Sequence, residues 1–215
     1  MITIKSFVFN PFSENTYVAY DETKKAVVID PGCYEPSERK ELDGFIKSNH
    51  LTVSLLINTH CHIDHVLGND FVKETYNVPF LIHKNEESML RAVTAYAPNY
   101  GFNAYKEAVP DKFIDEKDEV TWGNSELKVI FLPGHSPGHI GLYNPEQKIL
   151  ISGDVLFDGS IGRTDLPGGD MDTLIGSIQQ KLFALPDDVV VYSGHGNPTT
   201  IGKEKTSNPF CGLGS

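Results

Sequence analysis

Seven consecutive residues, Thr59-His60-Cys61-His62-Ile63-Asp64-His65, constrain this chain more than any other stretch, because they crowd three imidazoles and a carboxylate together. They follow Val53-Ser54-Leu55-Leu56-Ile57, an apolar run of strand length, and Asn58-Thr59 supplies a turn-forming end. Neutral imidazole and carboxylate are the ligands preferred by zinc and other borderline divalent metals. In extended backbone His60 and His62 project to the same side. Asp64 and His65 fall in an expected turn or helix start, where they can face a second point. One ion rarely takes four ligands from so short a stretch, so the crowding points to two. The plain alternative is a polar loop whose histidines are incidental.

Three further apolar runs end in the same manner. Leu127–Leu132 leads through Pro133-Gly134 to His135, Lys148–Ile151 through Ser152-Gly153 to Asp154, and Val189–Tyr192 through Ser193-Gly194 to His195. Each is a buried-type strand that stops at small or turn-forming residues just before a metal-ligand type. Rigid strands that hold ligands at their carboxyl ends are a common way to build a site. Five of the eight histidines fall in these four places, which argues against incidental placement.

At these residues the chain resembles the metallo-β-lactamase superfamily, and within it the glyoxalase II-like branch. The resemblance runs from the opening strands and Val28-Ile29-Asp30-Pro31-Gly32 through THCHIDH, LPGHSPGH, SGDVLF and GRTDLPGGD to SGHGNPTT and a terminal NPF. It implies an α+β fold, the four-layer αββα sandwich. It also implies that His60, His62 and His135 hold one metal, that Asp64, His65 and His195 hold another, and that Asp154 bridges them. Asp64 and Asp154 are the carboxylates expected at the chemistry. Zinc is the first expectation for both ions, with iron or manganese as alternatives.

The length of 215 residues suits a single domain over 1–215 with room for a core. A net charge of −11 argues against nucleic acid or anionic lipid as a partner. Two bound cations would reverse the field locally, so a small anionic substrate stays open. Three cysteines, Cys33, Cys61 and Cys211, show no pairing pattern and fit a reducing cytoplasm. The N-terminus reads as a strand rather than a signal peptide, and no apolar run reaches the ~18 residues that span a membrane. The sequence leaves the oligomeric state open.

Strands are expected over 2–9, 16–20, 25–30, 79–82, 119–121, 126–132, 140–144 and 148–152. Helices are expected over 36–49, 69–76, 86–95 and 172–185. The Tyr-, Asn- and Gly-rich passage from Tyr96 to residue 112 reads either as a loop with packing aromatics or as a flap over the pocket. His50 is expected to be a solvated helix-end residue, His139 a structural hydrogen-bonding group and Cys61 a filler. Asp30 reads first as an Asx-type turn cap, with orientation of a ligand as the alternative. Arg163, one of only three arginines, can either fork onto a substrate carboxylate or pair with Asp165 to brace its loop.

A water shared by two divalent cations deprotonates near neutral pH, and an acyl oxygen leaning on one of them is stabilised as it becomes negative. A thiolate leaves readily, so the first expectation is hydrolysis of a thioester by a metal-bound hydroxide, as in hydroxyacylglutathione hydrolysis. Only 20 residues follow His195. The helical C-terminal domain of full-length glyoxalase II enzymes is therefore expected to be lacking, and the resemblance is to the short forms of that branch. The alternatives are a persulfide (sulfur) dioxygenase with one iron on His60, His135 and Asp154, a lactone or phosphoester hydrolase, and a metal-dependent binding protein without turnover.

Overall fold

Burial patterns along the strands give the first layer of organisation in this computed structural model, which describes residues 1–214. β1 (Thr3–Phe9) shows the mixed exposure of an edge strand, whereas β2 (Glu14–Tyr20) and β3 (Lys25–Ile29) are buried almost throughout. α1 (Pro36–Ser48) follows, then β4 (Thr52–Ile57), the single turn α2 (Ile63–Val66), α3 (Asn69–Tyr76), β5 (Phe80–Ile82), α4 (Glu87–Tyr96) and β6 (Lys112–Phe113). The strands form a six-stranded sheet in the order β1 to β6, antiparallel across β1–β2–β3 and parallel from β3 onward.

α1 begins where its sequence demands. Pro36 sits in the first turn, and the Glu38 carboxylate accepts the N–H groups of Tyr34 at 2.8 Å and Glu35 at 2.9 Å. The same carboxylate accepts the N–H of Asn10 at 2.6 Å, tying the β1–β2 turn to the helix start. Leu42 and Ile46 are the buried face of α1, and exposed His50 follows its end at φ 55°.

The remaining strands are β7 (Glu119–Trp122), β8 (Ser125–Phe131), β9 (Ile140–Asn144), β10 (Ile149–Gly153), β11 (Leu156–Phe157), β12 (Ser160–Ile161), β13 (Val190–Ser193) and β14 (Thr199–Thr200). Two helices accompany them, α5 (Met171–Ser177), which continues as a π turn over Ile178–Leu182, and α6 (Ile201–Ser207). A second six-stranded sheet runs β14-β13-β10-β9-β8-β7, with β10 and β13 parallel and β11–β12 a separate hairpin. β9 and β10 are buried along their whole length. The Asp170 side chain caps α5 through the Thr173 N–H at 2.8 Å.

The chain divides into two compact units, Met1–Ile114 with Thr121–Glu126, and Asp115–Val120 with Leu127–Ser215. The first has its own core, including Val18, Val28, Leu42, Leu56, Leu67, Phe80 and Leu90. The second has another, including Leu132, Leu150, Leu156, Leu174, Ile178, Leu182 and Val191. The sequence expectations match the longer elements to within two residues at most ends. They miss β6, β11, β12, β14 and α6, whose short lengths give too few residues to show a period.

The passage after α4 is a packed loop. Phe102 and Ala108 are buried, the Phe102 ring meets Tyr34 at 4.9 Å, and the Tyr34 hydroxyl accepts the Ala104 N–H at 2.9 Å. Lys73 reaches the Val109 carbonyl at 2.6 Å and the Asp111 carboxylate at 2.8 Å, and Lys106 pairs with Glu74. Of its aromatics, Tyr100 alone is largely exposed. Phe102 and Ala108 thus serve packing in this passage.

Candidate metal centre

In the first unit, β4 delivers the chain directly to its cluster. Asn58 and Thr59 are fully buried, and His62 lies in extended backbone as the residue before α2. His60 and His65 are wholly buried and His62 nearly so. The His60 ring lies 4.8 Å from that of His62 and 4.1 Å from that of His65, centroid to centroid. The Asp64 Oδ2 stands 3.6 Å from His65 Nε2.

A chain of hydrogen bonds assigns the protons on two of these rings. The Asp30 carboxylate accepts the Thr59 N–H at 2.7 Å and the Thr59 hydroxyl at 2.6 Å. With its proton committed, Thr59 Oγ1 can only accept from His60 Nδ1, 3.1 Å away. Asp30 Oδ2 also lies 3.2 Å from His65 Nδ1, which makes that nitrogen the protonated one. Both rings thus turn a lone pair outward on Nε2, the form in which imidazole binds a metal.

These contacts correct the first reading of Asp30. An Asx turn would bond two residues along the chain, but Asp30 is buried at φ 49° and serves Asn58, Thr59 and His65, 28 to 35 residues away. It orients ligands. Asp30, His60 and His65 also offer atoms within 4.8 Å of one another, a spacing that could hold an ion.

Two further buried carboxylates had no sequence signal. Glu86 accepts the Cys61 N–H at 2.7 Å and so fixes the backbone between His60 and His62. Burial, followed by the Glu86 charge, holds the Cys61 thiol well above its ordinary pKa, which makes it an inert filler. Glu14 is entirely buried close to His65, and burial likewise pushes its carboxyl up. Glutamate in a short helix or at a strand start is ordinarily exposed, so only the packing identifies either residue. Tyr96 is raised to about 12 by burial and then by the Asp64 charge, and it stays protonated at neutral pH.

In the second unit the three expected residues come together. His135 is buried, and its Nδ1 donates to the Arg163 carbonyl at 2.7 Å, since a carbonyl can only accept. Its Nε2 therefore carries the lone pair. Asp154 Oδ2 lies 3.6 Å from His135 Nε2 and 3.4 Å from His195 Nε2. Ligands at ~2.0–2.1 Å from a tetrahedral ion stand roughly 3.3–3.4 Å apart. One carboxylate oxygen is thus spaced as a co-ligand of two different imidazoles.

Gly162 makes room for this arrangement, because a Cβ there would overlap the Asp154 carbonyl oxygen and lie 2.9 Å from His135 Nδ1. His139 has a different job. Its Nε2 accepts the Asp154 backbone N–H at 3.1 Å, so that lone pair is committed to holding the Asp154 backbone. The Arg163 guanidinium forks onto Asp165 through two 2.7 Å bonds, the bracing geometry, and a substrate carboxylate would have to compete with Asp165 for it.

The Lactamase_B family model, described as the metallo-β-lactamase superfamily, matches residues 9–195. A Haemophilus influenzae protein named hydroxyacylglutathione hydrolase GloC is 37% identical over 201 residues, 93% of each chain. Among solved structures, the BLEG-1 B3 metallo-β-lactamase aligns with a TM-score of 0.88 at 37% identity, over 97% of this chain and 99% of that one. TTHA1623 in a di-iron-bound form aligns at 0.85 with 34% identity, over 96% and 99%. These likenesses bear out the α+β sandwich expected from the sequence. Superfamily members bind divalent metals, and the His and Asp groups found here are suited to holding one. No helix among the described residues is long and apolar enough to cross a membrane. Matched along most of its length by the family model and by relatives above 30% identity, the chain belongs to the metallo-β-lactamase superfamily of metal-dependent hydrolases.

Proposed function

We propose that this chain is a cytoplasmic thioester hydrolase of the hydroxyacylglutathione hydrolase type, working as one domain over 1–215 with a small-molecule substrate. His60, His62 and His135 hold one divalent ion, Asp64, His65 and His195 hold a second, and Asp154 serves both; zinc is the first choice. The observation that carries this reading is the position of Asp154 Oδ2, ligand-spaced from the Nε2 atoms of both His135 and His195. Each of those histidines belongs to a different one of the two proposed ligand sets.

The donor set fits such ions, since His60, His65 and His135 each direct a neutral Nε2 lone pair away from an Nδ1 tied to protein oxygen. Bound divalent ions would supply an acidified water and an electrophile for the acyl oxygen. The chain's own part is to fix those lone pairs, which Asp30, Thr59 and the Arg163 carbonyl do, while His139 holds the Asp154 backbone. Thioester hydrolysis places little demand on a general acid, in keeping with a cluster made of neutral imidazoles and carboxylates. The likeness to the H. influenzae hydroxyacylglutathione hydrolase supports the substrate class, and the di-iron form of TTHA1623 supports a site for two metals.

The test is metal content per chain in protein purified without chelators, followed by turnover of an S-hydroxyacyl glutathione thioester. About two equivalents of metal with thioester hydrolysis is the expected result. One equivalent of iron with oxygen consumption on glutathione persulfide would replace the reading with a dioxygenase. Turnover of a β-lactam or lactone in place of the thioester would keep the metals and overturn the substrate.

A further inference from the structure

We infer that Glu14 is a positioning residue for His65, a second buried carboxylate behind the ring that strengthens its hold on a divalent cation. The inference rests on the reading of His65 as a metal ligand. Glu14 opens β2 opposite Phe9 of β1 and is fully buried. Its Oε2 accepts the Thr16 hydroxyl at 2.8 Å, and Thr16 Oγ1 in turn accepts the Gly32 N–H at 2.9 Å. Its Oε1 has no hydrogen-bond donor within reach among the described residues and no access to solvent. The group that Oε1 does face is His65 Nδ1, at 3.9 Å.

Asp30 already accepts from that nitrogen at 3.2 Å, so Glu14 is not needed to set the tautomer. Two carboxylates on one imidazole exceed what orientation requires. A buried carboxylate oxygen left without a donor is costly. An offset arises when Nε2 binds a cation and the ring becomes more positive, because a charge 3.9 Å away in a poorly screened interior then attracts it. Carboxylates hydrogen-bonded behind a ligating histidine raise its basicity in this way.

The backbone is shaped around the group. A Cβ on Gly32 would overlap Glu14 Oε2 and lie 2.6 Å from both Asn10 Nδ2 and the Asp64 carbonyl oxygen. Asn10 Nδ2 donates to that same Asp64 carbonyl at 3.0 Å and to the Gly32 carbonyl at 3.1 Å. The Glu14 carboxylate therefore fills a space that the chain keeps open directly beneath the Asp64-His65 step.

The experiment is zinc titration of the metal-free full chain against a chromophoric chelator, with thermal unfolding of the same metal-free samples, for wild type, His65→Ala and Glu14→Gln. Glu14→Gln keeps the shape and the Thr16 bond but removes the charge. The expected result is about tenfold weaker binding of the zinc that His65→Ala loses, with the other zinc unchanged. The metal-free Tm of Glu14→Gln should equal or exceed that of wild type. Affinity within twofold of wild type would overturn the inference, and so would a metal-free Tm that falls along with affinity, the mark of a merely structural role. His65→Ala that binds as much zinc as wild type would sink the metal reading itself, and this inference with it.

Discussion

His139 Nε2 accepts the backbone N–H of Asp154 at 3.1 Å, so the carboxylate that faces two imidazoles is held from behind by a third. The bond spans 15 residues and joins the segment after β8 to the end of β10. Replacing His139 by Ala should leave the Asp154 backbone free to shift while touching none of the proposed ligands. We expect kcat/KM to fall about 10–100-fold, the scale of a group that orients a ligand from behind. Steady-state turnover beside metal content checks this, and loss of activity larger than the loss of metal is the expected pattern.

Asp154→Ala goes further. With the oxygen between His135 and His195 gone, metal and activity should be lost together. A variant that kept both its full metal complement and its turnover would contradict the assignment of Asp154. Elemental analysis and the thioester assay on the same preparation decide it.

Gly162→Ala tests the packing under the site without changing any polar group. The new methyl group would overlap the Asp154 carbonyl oxygen, a backbone atom that cannot swing aside. A cost of about 1–3 kcal/mol in urea unfolding is expected for forcing an atom into filled space, accompanied by reduced activity. A variant as stable and as active as wild type would show that the Asp154–Gly162 contact is looser than described.

Asp111 ties the loop after α4 to β5, accepting from Lys73 Nζ and from the Phe80 N–H, each at 2.8 Å. Burial raises its carboxyl pKa, but these donors outweigh burial and the net shift is downward from 3.8. A carboxyl that is more acidic when folded stabilises the fold above its unfolded pKa and loses that contribution as pH falls through the folded value. Asp111→Asn should therefore flatten the acid limb of stability below about pH 4. The effect should be under about 1 kcal/mol, since the group is half exposed. Urea midpoints measured from pH 2.5 to 7 would show it, and an unchanged acid limb would refute it.

The sequence by itself determined the strand-ending runs and the seven metal-ligand residue types behind them. That much is local, because an apolar run, a turn pair and an imidazole or carboxylate are legible within a dozen residues. It also determined the longer helices, whose apolar spacing has enough turns to register. Tertiary structure alone decided what stands behind the proposed ligands. Asp30 read as a turn cap because its neighbours Pro31-Gly32 are turn residues, yet its partners Thr59 and His65 come from the far end of β4 and from α2. Nothing local marks Glu14 or Glu86, and it is burial against a backbone N–H group and an imidazole that gives them work. Ligand identity is a property of residue type, whereas ligand orientation depends on hydrogen-bond partners that only the folded chain brings within 3.2 Å, and no local pattern encodes them.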